Sequence, residues 1–205
     1  MHTKPIIGII TRKSISEEKH DINIIYSDIE KCIIDSGGIP IGITLTFNYK
    51  KLINMCDGII FQGGDNEEEY DLYALKYIHE INKPVLGICL GMQLMGMLFD
   101  GTMIDINNHK KKLSYAHTVT LSKNSKLYNI FKVNNIKVNS RHKSVIKTTK
   151  LKVVGISNDG YIEAIEDNSK RFFIGVQWHP ESMVNYDNTQ KNLFKYFVKC
   201  CNVIK

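Results

Sequence analysis

The chain has 205 residues, 43% of them hydrophobic and 23% charged, which suits one globular domain over residues 1–205 and excludes a largely disordered chain. Lys and Arg outnumber Asp and Glu by 27 to 21, giving a formal charge of +6 with neutral His. Only Arg12, Arg141 and Arg171 are arginines and the lysines are scattered, so a nucleic-acid partner, which would use Arg for bidentate base contacts, is not expected.

Residues 5–10 form a short β-branched apolar run, read as a buried first strand. Residues 21–36 place Ile22, Ile25, Ile29, Ile33 and Ile34 at helical spacing, and Gly37-Gly38 ends that helix. A strand over 39–45, a short helix over 50–55 and a strand over 57–61 follow, the last running into Gly63-Gly64. Residues 67–81 read as a helix stopped by Asn82 and Pro84, residues 85–88 as a strand, and residues 91–99 as a helix closed by Gly101.

Alternation of strand and helix over short connections predicts parallel βαβ units, with sites beyond the C-terminal strand ends. The second half changes to short alternating strands over 118–121, 136–138, 152–156, 161–165 and 172–177, with a hairpin turn at Asn158-Asp159-Gly160. A helix near 188–201 ends the chain. The expectation is an α/β three-layer sandwich, its central sheet mostly parallel with an antiparallel extension.

No apolar run approaches the roughly 18–20 residues of a membrane span. The N-terminus reads as a strand and not as a signal peptide, which points to the cytoplasm. Five scattered cysteines (Cys32, Cys56, Cys89, Cys200, Cys201) argue for free thiols. No Cys-x-x-Cys or His-x-x-x-His spacing suggests zinc, so neither metal nor cofactor is expected. His109-Lys110-Lys111-Lys112 reads as a solvated loop.

Three stretches carry chemistry. In Gly87-Ile-Cys89-Leu-Gly91 a buried strand meets a helix with Cys at the junction and glycines two residues to either side, the spacing of a nucleophile elbow. The helix N-terminus aimed at Cys89 favours a thiolate, and the Leu90 N–H faces a developing oxyanion. In Val176-Gln-Trp-His179-Pro-Glu181 a second strand ends in a base, His179, with a carboxylate, Glu181, placed to orient it. In Phe61-Gln-Gly63-Gly64-Asp65 a third strand ends in two glycines; Gly64 would supply a second oxyanion donor, with Gly63 as hinge. Each stretch alone also suits an ordinary core strand and turn. Together they predict a Cys89–His179–Glu181 triad that cleaves an amide.

Phe-Gln-Gly-Gly-Asp, Gly-Ile-Cys-Leu-Gly-Met-Gln and Gly-Val-Gln-Trp-His-Pro-Glu, in this order, resemble the class I glutamine amidotransferase superfamily. Pro-Ile-Ile-Gly-Ile-Ile-Thr, His117-Thr-Val-Thr-Leu, Val-Asn139-Ser140-Arg141-His142 and Asp159-Gly-Tyr-Ile-Glu-Ala-Ile-Glu are most similar to its peptidase C26 branch, the γ-glutamyl-γ-aminobutyrate hydrolase-like proteins. The resemblance implies the flavodoxin-like fold of that superfamily and a γ-glutamyl amide as small-molecule substrate, cleaved through a glutamyl thioester. It implies substrate contacts from Gly63, Gln93, Asn139, Ser140, Arg141 and His142.

Three departures stand out. The segment after Asp65 is short and acidic, where many C26 proteins have a longer one; its carboxylates hint at a cationic leaving group. His142-Lys143-Ser144 replaces His-His-Gln. Leu90 follows the nucleophile where hydrolases often have Arg, and ammonia-channelling domains often have Leu. A glutaminase subunit serving a separate synthetase partner is therefore the alternative. A non-catalytic binding module fits the intact Cys, His and Glu less well.

Overall fold

A computed structural model describes residues 4–111 and 113–202. Residues 1–3 at the start, Lys112 of the basic run and residues 203–205 lie outside the described residues.

The first half comprises β1 (Ile6–Ile10), β2 (Arg12–Ile15), β3 (Asp21–Ile24), α1 (Ser27–Asp35), β4 (Ile39–Ile43), α2 (Tyr49–Asn54), β5 (Gly58–Phe61), α3 (Asp71–Glu80), β6 (Val85–Ile88) and α4 (Leu90–Leu98). The second half adds β7 (Thr102–Asp105), β8 (Lys110–Lys111), β9 (His117–Leu121), α5 (Lys126–Phe131), β10 (Asn135–Val138), β11 (Ser140–Arg141) and β12 (Ser144–Thr148). It closes with β13 (Lys152–Ser157), β14 (Ile162–Glu166), β15 (Phe173–Val176), a 3-10 turn at Pro180–Ser182 and α6 (Asn188–Cys201).

Nine strands make one sheet in the order β10-β9-β13-β14-β15-β6-β5-β1-β4. From β15 to β4 neighbours pair parallel. From β15 to β10 they pair antiparallel. Helices cover both faces, giving the expected three-layer α/β sandwich with its antiparallel extension.

Period-two alternation builds the two cores. Ile7, Ile9, Ile60, Leu86, Ile88, Ile174 and Val176 pack on one face with Ile29 and Ile33 of α1 and Leu193, Phe194 and Phe197 of α6. Ile10, Ile59, Phe61, Val85 and Phe173 face the other way, against Ala74, Leu75 and Ile78 of α3 and Leu94 and Met95 of α4. Each such fully buried side chain contributes about 1.5–3 kcal/mol from water removal. With both faces covered, β5, β6 and β15 are buried along their whole length.

The helix expected over 21–36 starts later. Residues 12–24 form the β2–β3 hairpin, and α1 opens only at Ser27. Ile22 and Ile24 also fit a two-residue period, and the acceptors that settle the matter are remote. Gln62 Nε2 donates to the Ile10 and Ile24 carbonyls at 3.0 and 2.9 Å, and its Oε1 accepts from the Tyr26 N–H at 3.0 Å. The basic run expected as a loop is partly strand: β8 pairs with β11. The β7–β12 ribbon and helix α5 are further additions. Among the described residues no helix is long and apolar enough to cross a membrane.

Candidate active site

Three adjacent parallel strands, β5, β6 and β15, deliver the three chemical stretches to one edge of the sheet. Phe61 pairs with Gly87, and Ile88 with Val176, so Gln62-Gly63-Gly64, Cys89 and Gln177-Trp178-His179 leave the sheet side by side.

Cys89 sits between β6 and α4 at φ 53°, ψ −105°, a left-handed conformation unusual for a side chain with Cβ. Its N–H donates to the Val176 carbonyl at 2.8 Å, and its carbonyl accepts from the Gln93 N–H at 3.1 Å, so the surrounding structure holds the turn. The flanking glycines are steric requirements. A Cβ on Gly91 would collide with the Phe61 carbonyl oxygen, and one on Gly87 would lie 2.7 Å from the Gly91 carbonyl carbon. Leu90 opens α4, where the first backbone N–H groups have no partner within the helix.

His179 Nδ1 lies 2.6 Å from Glu181 Oε1. A carboxylate only accepts, so Nδ1 carries the proton and the other ring nitrogen is left to act on Cys89. Burial opposes a charged imidazole here, but the Glu181 carboxylate and the Cys89 thiol overcome it and raise His179 to about 10. Asn139 fixes the backbone of His179: its Nδ2 donates to the His179 carbonyl and its Oδ1 accepts from the His179 N–H, both at 2.8 Å. Trp178, fully buried, donates from Nε1 to Gln190 Oε1 of α6 at 3.0 Å.

The Gly63-Gly64 turn presses close to the pair. A Cβ on Gly63 would lie 2.9 Å from His179 Cε1 and 3.5 Å from Cys89 Cβ. A Cβ on Gly64 would meet the Arg12 side chain at 3.1 Å. Arg12 is buried and pairs with buried Asp71 (Nη1 to Oδ2, 2.6 Å), tying β2 to the start of α3 beneath the turn. Burial raises the Asp71 carboxyl above its ordinary value despite that guanidinium.

A cavity of about 210 Å³ opens over Cys89, lined by Tyr26, Asp28, Gly64, Asp65, Arg141, His179, Glu181 and Ser182. Beside it a groove of about 750 Å³ shares Arg141 and Ser182 and adds Lys110, Lys111, Asn139 and Tyr186. Cys89, His179, Glu181, Gly64 and Arg141 are therefore brought together. Gly63 packs against Cys89 and His179, while Gln93, Ser140 and His142 make contacts with other parts of the chain. Leu90, expected to contribute its backbone N–H, directly follows Cys89 as the first residue of α4. Gln93 donates to the Ser144 carbonyl at 2.8 Å and to Gln177 Oε1 at 3.2 Å. Ser140 bonds to the His109 carbonyl. His142 faces Glu163. Asn139 supports His179 and reaches only the groove.

Tyr26, Asp28, Asp65 and Ser182 line the cavity without having been expected there. Asp65 and Ser182 flank recognised motifs, and that adjacency was the available signal. Tyr26, whose N–H Gln62 holds, precedes α1 and Asp28 lies in its first turn, and no local pattern marks either as a cavity residue. Among the described residues, the donor atoms on the cavity wall do not form a compact metal-holding group. Among the described residues the compatible group is His109, His117 and Glu163, away from the cavity lining.

Comparison with known proteins shows the family and the fold. A family model described as Peptidase C26 matches residues 66–181, more than half of the chain. A Schizosaccharomyces pombe protein with a provisional glutamine amidotransferase name is 32% identical over 200 residues, covering 82% of this chain and 79% of that one. A glutamine amidotransferase-like protein of Rickettsia prowazekii is 28% identical, with both chains covered in full.

Two solved structures share the fold. A Thermoplasma acidophilum protein, provisionally named as part of a GMP synthase, has a TM-score of 0.75 at 19% identity over 98% of this chain and 96% of that one. The glutaminase domain of Trypanosoma brucei CTP synthase, with bound acivicin, has 0.74 at 17% identity over 96% and 93%. The chain belongs to the peptidase C26 branch of the class I glutamine amidotransferase superfamily.

Proposed function

We propose that this chain is a cysteine-dependent hydrolase that cleaves the γ-glutamyl amide bond of a small molecule and releases glutamate. One observation carries the reading: Cys89, in its left-handed turn, and the His179–Glu181 pair face one small cavity at the C-terminal edge of the parallel strands.

In this reading Cys89 Sγ attacks the γ-carbonyl while His179 takes the thiol proton. The Gly64 and Leu90 N–H groups stabilise the oxyanion. The C–N bond breaks, His179 passes its proton to the departing amine, and a glutamyl thioester remains. Water, deprotonated by His179, then attacks the thioester; glutamate leaves and the thiol is restored. Glu181 holds the imidazole in its productive tautomer throughout.

The cavity suits a glutamyl group. Asp28 and Asp65 can receive its ammonium, and Arg141 its α-carboxylate. The leaving amine would extend into the groove bearing Lys110 and Lys111. Those cations favour an acidic leaving group over the cationic one that the acidic stretch hinted at; Glu67 and Glu69 are exposed at that segment.

A second reading has support of its own. The GMP synthase of Blochmanniella floridana is 32% identical over 152 residues, 69% of this chain and 28% of that one. A glutaminase that passes ammonia to a separate synthetase would use the same triad.

Glutamate release from a panel of γ-glutamyl amines, beside glutamine, separates the two. Turnover of γ-glutamyl amino acids by the isolated chain supports the hydrolase. Glutamine-restricted turnover that a synthetase stimulates supports the ammonia-donating role. Release unchanged in Cys89→Ala would remove both.

A further inference from the structure

Behind the catalytic base lies a second, closed cluster of ionisable groups. His109 precedes β8, His117 opens β9, His142 follows β11 and Glu163 lies on β14. All but His117 are buried as whole residues, and the His117 side chain is 7% exposed. Three ring nitrogens converge on one carboxylate oxygen. His117 Nε2, His142 Nε2 and His109 Nδ1 lie 3.2, 3.5 and 3.9 Å from Glu163 Oε1. None of these approaches makes a hydrogen bond. Five of the eight buried side-chain polar atoms without a partner among the described residues belong here: His117 Nε2, both His142 nitrogens and both Glu163 oxygens.

Leaving such atoms unpaired costs about 1–3 kcal/mol each, so their gathering in one place calls for a central partner, which could take one nitrogen of each histidine and a Glu163 oxygen. Their arrangement suits a metal ion. Bonds of about 2.1 Å in a tetrahedral site put neighbouring donors about 3.4 Å apart, close to the three distances from Glu163 Oε1, and the donor atoms of His109, His117 and Glu163 all lie within 4.8 Å of one another.

The outer groups are set for the same purpose. His109 Nε2 lies 2.7 Å from Asp159 Oδ2, so that nitrogen carries the proton and Nδ1 presents its lone pair inward. The Ser140 hydroxyl, 3.5 Å from Nδ1, points its proton at the His109 carbonyl and leaves that lone pair open. A carboxylate behind a histidine is the usual support of a metal ligand. Tyr161 packs edge-on against the His109 ring, 5.2 Å between centroids.

We propose that His109, His117 and Glu163, whose donor atoms lie within 4.8 Å of one another, hold one divalent transition ion of the zinc class, and that His142, 3.5 Å from Glu163 Oε1, swings in as the fourth ligand to close a structural site. Three imidazoles and one carboxylate match that ion's hardness and coordination number, and a closed four-ligand shell gives it a structural role. The sequence offers none of the local spacings that signal zinc, because the ligands come from four separate segments. The ion would pin the strap 139–142, which carries Asn139 on His179 and Arg141 in the cavity.

The test uses the full chain, expressed without a histidine tag and purified without chelators. Elemental analysis should find about one zinc per chain. The chelator-stripped protein should gain thermal stability on adding Zn²⁺, and should develop the visible absorption of tetrahedral Co²⁺ on adding Co²⁺. Glu163→Gln should lose the ion and both responses. Asp159→Asn, at a half-exposed position, should keep the fold and bind about 10–100-fold more weakly. Cys89→Ser should retain the ion, which separates this site from the catalytic thiol. No retained zinc with no saturable one-to-one uptake of Zn²⁺ or Co²⁺ by wild-type protein would overturn the proposal, leaving the cluster water-bridged. Uptake that vanishes in Cys89→Ser but persists in Glu163→Gln would overturn it equally. Both wild-type readings stand even if a variant fails to fold.

Discussion

His179 Nδ1 and Glu181 Oε1, two residues apart across Pro180, approach to 2.6 Å at the buried end of β15. The pair has consequences for both rate and stability. Glu181→Gln should leave the fold intact and lower turnover about 10²–10⁴-fold, since the amide can present the wrong tautomer to Nδ1. Steady-state glutamate release checks this, and an unimpaired variant would exclude Glu181 from the triad.

The same pair predicts a pH dependence. His179 is raised from 6.5 to about 10 in the folded chain, so its protonated form is favoured by folding. That contribution is fully present below about pH 6.5 and is lost as pH rises towards 10. Denaturant unfolding across this window should show wild-type stability falling more steeply than that of Glu181→Gln.

Cys89 should be indispensable for turnover and costly for stability. Cys89→Ser should lose at least about a thousandfold in rate, because the hydroxyl is far harder to ionise. Cys89→Gly, equally inactive, should be more stable than Cys89→Ala by about 1 kcal/mol, since only glycine takes φ 53° without strain. Thermal melts of the two variants test the strain directly.

Gly91→Ala should cost about 1–3 kcal/mol, because its Cβ would meet the Phe61 carbonyl, and backbone cannot move aside cheaply. Gly160→Ala provides a contrast: nothing lies within 4 Å of its Cβ, and the cost comes only from its φ of 91°.

Arg12→Ala should destabilise by about 3–5 kcal/mol by leaving Asp71 buried without its partner. It should also loosen the Gly64 turn against which the Arg12 stem packs, so the residual folded enzyme should lose turnover as well. Activity per folded molecule, measured well below the melting midpoint, distinguishes the two effects.

Local order was legible in the sequence where a short-range rule governs it. Val85–Ile88 and Asn188–Cys201 were read to the residue, because apolar runs and helical spacing mark them. The Cys89 turn and the His179–Glu181 pair were legible because each is set by residues within a few positions of one another. Helix α5 escaped notice although Ser125 caps it, its Oγ accepting from the Tyr128 N–H at 2.9 Å. Ser125 followed by Leu127, Ile130 and Phe131 was a readable signal.

Other features had no local signal at all. Arg12 meets Asp71 across 59 residues, and Gln62 reaches Ile24 across 38. Gln93 looked like a substrate contact from its place one turn past Cys89, yet it is held by Ser144 and Gln177 from remote strands. The His109, His117, His142 and Glu163 cluster comes from four segments whose charges look unremarkable one by one.

The most direct test of the central claim is to stop the reaction of a γ-glutamyl amine with the purified chain in acid and map the protein by mass spectrometry. A glutamyl adduct on the peptide containing Cys89, absent in Cys89→Ser, is the predicted result. Glutamate release that proceeds with no adduct on Cys89, and at an undiminished rate in Cys89→Ser, would contradict it.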